Sequence, residues 1–168
     1  MTLNLLALFV FPLLMAFAAS SDLLTMRISN TLVLLVVVGF FIAAMVAQMP
    51  FDRVLSHLLA GAGVLVVGFG FFALRWIGGG DAKLAAATAL WIGIGGLLPY
   101  LVYAALLGGA LTLAILVLRR WPLPSVLARL KWLDRLHDAK SGVPYGIALA
   151  AAGILAYSRT EIFQLLSA

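Results

Sequence analysis

Chemistry in this chain has few places to start. Its 168 residues include no cysteine, two histidines and six acids. Without cysteine there is no disulfide, no thiolate nucleophile and no cysteine-ligated zinc or iron–sulfur centre. His57 and His137 are too few for most histidine-rich metal sites, so neither a metal nor another cofactor is expected. The search narrows to carboxylates. Asp22, in ASSDLLTMRISN, and Asp81, in RWIGGGDAKL, each stand at the edge of an apolar run. Asp52 and Glu161 fall at other edges, while Asp134 and Asp138 lie among basic residues as solvated surface charges. Two carboxylates that converge can share one proton, so that one serves as acid and the other as base. Such a pair activates water against an amide without a metal, serine or cysteine, and it titrates as a unit.

The elements that must position these acids are membrane helices. Apolar residues make up 65% of the chain and charged residues 10%, with a mean hydropathy of +1.18. A soluble domain of this size buries too little surface to hide so much apolar material. Disorder, nucleic-acid binding and a soluble enzyme are thereby excluded. The expected fold is all-α, a polytopic bundle of six transmembrane helices forming one domain over 1–168. Apolar windows of about 17–25 residues place the spans at 3–19, 31–48, 54–74, 82–98, 100–118 and 143–158. The fourth is rich in Ala and Gly, and the sixth is short, with Pro144 and Gly146 near its start. Both suit helices packed inside protein, since small residues allow close approach. No Lys or Arg precedes the first span, so it is expected to stay as a span rather than be removed as a signal peptide.

Two spans separate Asp22 from Asp81, so both face the same side of the membrane. With the N-terminus outside, Arg27, Arg75, Lys83, Arg119, Arg120, Arg129, Lys131, Arg135 and Lys140 are cytoplasmic, and only Arg53 and Arg159 are not. That asymmetry follows the positive-inside rule and assigns both termini to the exoplasmic side and both acids to the cytoplasmic side. The longest piece between spans, 121–142, carries Leu127, Leu130, Leu133 and Leu136 toward one side and Arg129, Lys131, Asp134 and Arg135 among them. It reads as a short interfacial helix whose cations favour anionic lipid headgroups.

Each acid has a plainer role available, that of a helix cap at the interface. The run Gly78, Gly79 and Gly80 weighs against it for Asp81, because exposed backbone is tolerated at membrane depth only inside protein or beside water. These glycines would line a water-accessible recess, or serve as a hinge. His57 is expected as an interfacial polar residue and His137 as loop surface. Trp76, Trp91, Trp121, Tyr100 and Tyr103 are expected as aromatic anchors near span ends. Gly61, Gly63, Gly68 and Gly70 read most simply as packing contacts in the third span.

GGGD at 78–81 matches the GxGD pattern of intramembrane aspartic proteases. With GGGDAKLAAATALWIG around it, Asp22 followed by Arg27-Ile28-Ser29-Asn30, and GVPYGIALAAAGI opening the last span, the chain resembles the type IV prepilin peptidases. The small members of Flp/Tad pilus systems look nearest. The resemblance implies cleavage of a short basic leader from prepilins or pseudopilins at the cytoplasmic face of the bacterial inner membrane, beside the substrate's apolar N-terminal helix. It implies Asp22 and Asp81 as the catalytic pair, Gly78, Gly79, Gly80 and Lys83 as substrate-binding or hinge residues, and membrane lipids and pilus-assembly machinery as partners. Ser29 stands where the family often has Pro, which changes a turn and leaves the acids intact. The cysteine-rich cytoplasmic loop of the larger members is absent, so peptidase activity without methyl transfer is expected. A proton-coupled carrier using both acids as a relay, or a non-catalytic assembly subunit, are the competing readings; a carrier would want an acid at mid-span.

Overall fold

The computed structural model describes residues 2–124 and 126–167; Met1, Ala168 and Ser125, which opens the expected amphipathic stretch, lie outside them. Its described residues form helices and their connections, with no strand among them. Helices α1 (Thr2–Thr25), α2 (Asn30–Val46) and α3 (Phe51–Ala73) are followed by a 40-residue α4 (Gly79–Leu118). A 3-10 turn (Leu127–Arg129) and the short α5 (Lys131–His137) lead to α6 (Tyr145–Tyr157) and a terminal α7 (Glu161–Ser167). Three helices, α1, α3 and α4, are long and apolar enough to cross a membrane, and α2 and α6 are shorter apolar helices. The protein is a membrane protein.

The windows expected as spans four and five lie on two limbs of one helix, α4. The expected division fell at 98–100, but the helix continues through Pro99 and breaks at Gly93. Gly93 has φ 72° and ψ 172°, a conformation essentially closed to residues with a Cβ. Pro99 lies within the second limb, where its missing N–H leaves the Gly95 carbonyl without a helical partner. The break reverses the chain. Asp81 and Gly142 line one cavity, and Arg119, just past the far end of α4, donates to the Gly142 carbonyl at 2.6 Å. A straight helix of this length would part its ends by about 60 Å, so the limb after Gly93 runs back beside the limb before it.

The first limb is the centre of the bundle. Between Ala82 and Gly93 it is buried at nearly every position, against α3, α6 and α2. Burial all round suits a limb of mostly small side chains, and lipid gives apolar helices little reason to associate except close packing. Trp91 fills the middle, fully buried, with its ring centroid 5.0 Å from that of Phe11 and 5.9 Å from that of Phe40. Its indole N–H donates to the Val36 carbonyl at 2.8 Å. Trp91 and Tyr100 are therefore core residues rather than interfacial anchors, whereas Trp76 and Trp121 are exposed as expected. The outer faces of α1, α2 and α3 present Leu6, Phe9, Leu13, Leu34, Val66 and Phe69, an apolar belt suited to lipid.

His57 is also corrected from interface to core. It is buried, stacked on Phe40, and its Nδ1 lies 2.8 Å from the Leu90 carbonyl. The break at Gly93 explains this pairing: a carbonyl losing its helical partner needs another donor in a buried place, and the imidazole supplies it. A Cβ on Gly93 would stand 2.8 Å from His57 Nε2, so the ring also occupies the space that glycine leaves.

Candidate active site

Asp22 and Asp81 come from opposite ends of two helices and line one cavity of about 1180 Å³. Asp22 lies in the last turn of α1, which runs several residues past the expected end of the first span. Its backbone carbonyl accepts from Met26 N at 2.7 Å, and Met26 takes a left-handed conformation (φ 51°) that stops the helix. The Ser21 hydroxyl donates to the Arg27 carbonyl at 3.2 Å and folds the connection back on the helix end, while the Thr25 hydroxyl donates to the Ser21 carbonyl at 2.7 Å. Ser29 then caps α2, its Oγ accepting from Leu32 N at 3.1 Å. A hydroxyl here does the work of starting the helix, which accounts for the tolerance of Ser at this position.

Asp81 is the third residue of α4, after the extended Gly78. The three glycines line the cavity without interrupting the helix. Gly79 and Gly80 already belong to the helix, and their role is close approach. A Cβ on Gly80 would meet the Ile28 side chain at 3.3 Å, and one on Gly78 would meet Asp81 Oδ2 at 2.9 Å. Ile28 is thereby wedged against the start of α4, and it reaches the start of α6 as well, 2.9 Å from where a Gly146 Cβ would lie.

The start of α6 completes the site. Gly146 N donates to Asp22 Oδ2 at 2.7 Å. The unsatisfied N–H groups and dipole of a helix N-terminus favour a carboxylate there, and Pro144 before it has no N–H to offer. Asp22 is thus only 4% exposed although it borders a large cavity. The amphipathic stretch supplies another wall. Arg135 and Ser141 line the cavity, and Arg135 also donates to the Leu24 carbonyl at 3.1 Å. Arg119 holds this stretch with bonds to the Leu136 and Gly142 carbonyls at 2.9 and 2.6 Å.

The structure brings together Asp22, Asp81, Gly78, Gly79 and Gly80, and separates Lys83 from them. Lys83 Nζ donates to Asn30 Oδ1 at 2.9 Å, tying α4 to the start of α2. It makes no ion pair with either acid. Ile28, Asn30, Arg135 and Gly146 were not singled out by sequence reasoning. Gly146 and Ile28 stood inside motifs that carried the resemblance, but nothing in the sequence says that one meets the other. Among the described residues, no three His, Cys, Asp or Glu side chains group as a metal site would need. The arrangement is two carboxylates at the wall of a polar, open cavity, one fixed by a helix N-terminus.

No curated protein and no solved structure matches the chain. The sequence profile described as the type IV leader peptidase family matches residues 9–113, a stretch that contains both acids, the three glycines and the reversal at Gly93. The chain therefore belongs to the type IV leader peptidase family.

Proposed function

We propose that the protein is an aspartic endopeptidase that removes the leader of Flp-type prepilins or pseudopilins. The observation that carries this reading is that Asp22 and Asp81, 59 positions apart in sequence, line the same cavity. With one carboxyl ionised and the other protonated, the ionised oxygen takes a proton from water as that water attacks the scissile carbonyl carbon. The protonated partner gives its proton to the carbonyl oxygen, forming a tetrahedral diol. Collapse of the diol returns one proton to the pair and delivers the other to the leaving amine, so the dyad ends as it began. The N–H of Gly146 keeps Asp22 aimed at the cavity throughout. The glycines beside Asp81 keep side chains out of the way of an approaching peptide backbone.

The membrane setting follows from charge. Nine of the eleven Lys and Arg residues belong to the segments at the cavity end, against Arg53 and Arg159 at the other. In the bacterial inner membrane this puts the cavity on the cytoplasmic side and both termini outside. The two limbs of α4 count as separate crossings, giving six.

Co-expression with an Flp-type prepilin tests the reading. Wild type shortens the pilin on a gel, and Asp22→Asn and Asp81→Asn each abolish the shift while accumulating normally in the membrane. Full cleavage by either variant removes that acid from the dyad.

A further inference from the structure

Asp81 borders a second cavity that Asp22 does not. It measures about 630 Å³ and shares Gly78, Gly142 and Val143 with the larger one. Its remaining wall differs in character. Ala85 lies one turn beyond Asp81 on α4, and Tyr145 and Leu149 lie one turn apart on α6. Arg75, Trp76 and Ile77 close it from the α3–α4 connection, Arg75 being its one cation. From the acid, this cavity therefore extends about one helical turn, roughly 5 Å, into the apolar part of the bundle. The larger cavity is bordered instead by Thr25, Ser29, Asn30 and Ser141 together with Arg27 and Arg135. Asp81 thus stands between a chamber of mixed lining, which holds most of the polar side chains, and one that is mainly apolar apart from Arg75.

We propose that the smaller chamber is the subsite for the C-terminal side of the scissile bond, and that it takes the first apolar side chains of the mature pilin helix. This rests on the prepilin reading above and assigns the polarity of the bound chain. A prepilin changes from basic leader to apolar helix at the cut, and both acids that could meet the leader's cations, Asp22 and Asp81, border the larger chamber beside Arg27 and Arg135. An extended backbone crossing Asp81 from the larger chamber to the smaller one meets the same change in the same order. The reverse direction would bury apolar side chains against the Arg27 and Arg135 guanidinium groups, which would lose water for nothing in return. Continuity with the catalytic cavity distinguishes this chamber from the other apolar groove. That groove, about 290 Å³ between α2 and α3 over α4, is bordered by Val37, Ala62 and Leu65 and touches neither acid.

The chain has no cysteine, so single introduced cysteines report without background. Wild type and the Leu149→Cys, Ser29→Cys and Ala62→Cys variants are first assayed for prepilin cleavage, and membrane accumulation shows that each variant is folded. Failure of wild type to cleave would overturn the prepilin reading itself. Each cysteine is then combined with Asp81→Asn to hold the substrate uncut, and oxidised against prepilins carrying one cysteine either two residues before or two residues after the cut. Leu149→Cys is expected to cross-link the position after the cut at least fivefold more than the position before it, and Ser29→Cys the reverse. Ala85→Cys substitutes for Leu149→Cys if the latter does not accumulate. Cross-links from Ala62→Cys in place of Leu149→Cys, equal labelling of both positions, or no cross-link from the smaller chamber despite normal cleavage would each overturn the assignment.

Discussion

Gly146→Ala sets two physical effects against each other at one atom. Alanine is favoured over glycine by about 0.5–1 kcal/mol in a helix interior, which is the upper bound of what α6 gains at its second residue. The added Cβ, however, would lie 2.7 Å from Asp22 Oδ2, 3.0 Å from its Cγ and 2.9 Å from Ile28 Cδ1. To reach ordinary contact, at least 3.4 Å, the Asp22 carboxylate must withdraw. It then gives up the 2.7 Å bond from Gly146 N, worth about 1.5–3 kcal/mol for a charged acceptor. Displacement of a reacting group by about 1 Å costs up to about a hundredfold in rate. Gly146→Ala is therefore expected to lower the cleavage rate of a co-expressed or purified prepilin by at least tenfold, and to lower stability by the difference of the two effects, about 0.5–2.5 kcal/mol. Gly109→Ala is the control, since its Cβ would meet nothing within 4 Å, and it should cleave at the wild-type rate. Wild-type cleavage by Gly146→Ala would refute the positioning of Asp22 by α6.

Two further tests address parts of the frame. Gly93→Ala forces a Cβ into a glycine-only conformation, costing about 1–3 kcal/mol, and presses it against His57; the detergent-solubilised variant should unfold at a clearly lower temperature than Gly109→Ala, and equal unfolding would show that another conformation serves the reversal. Lys83→Met and Asn30→Ala both remove the 2.9 Å bond between α4 and α2, so their losses in cleavage rate should be equal and the double variant no worse than either; additive losses would put the Lys83 amine on the substrate instead.

What could be read in the sequence and what could not divide along one line. Helices and acids were legible because hydropathy windows and charge asymmetry are local quantities, summed over tens of residues. That Asp22 and Asp81 share one end of the bundle followed from counting spans, and the cavity they line agrees with it. Contacts between distant glycines and their neighbours were not legible. The IGIGG stretch offers Gly93, Gly95 and Gly96, and only the φ of 72° at Gly93 marks the one that turns the chain. Pro99, the stronger break by local rules, sits harmlessly within the second limb. His57 and Trp91 looked interfacial from their places in the spans, but each is committed to a carbonyl inside the bundle. Lys83 stood two residues from Asp81, and the helix turns it to Asn30.

The site is held by polar ties more than by apolar burial. In lipid, exchanging one apolar neighbour for another contributes little, so helix ends drift unless hydrogen bonds fix them. At the cavity end such bonds run in several directions: Gly146 to Asp22, Lys83 to Asn30, Arg135 to Leu24, and Arg119 to both Leu136 and Gly142. Each joins segments far apart in sequence, and each leaves one partner as a backbone group or short amide that cannot swing away. The glycines then fix how closely those ends approach, at Gly80 against Ile28 and at Gly146 against Asp22. Position of the acids is thus set by the chain ends around them. Apolar exchanges on the lipid-facing sides of α1 and α3 should leave cleavage untouched, while single methyl groups added at Gly80 or Gly146 should not.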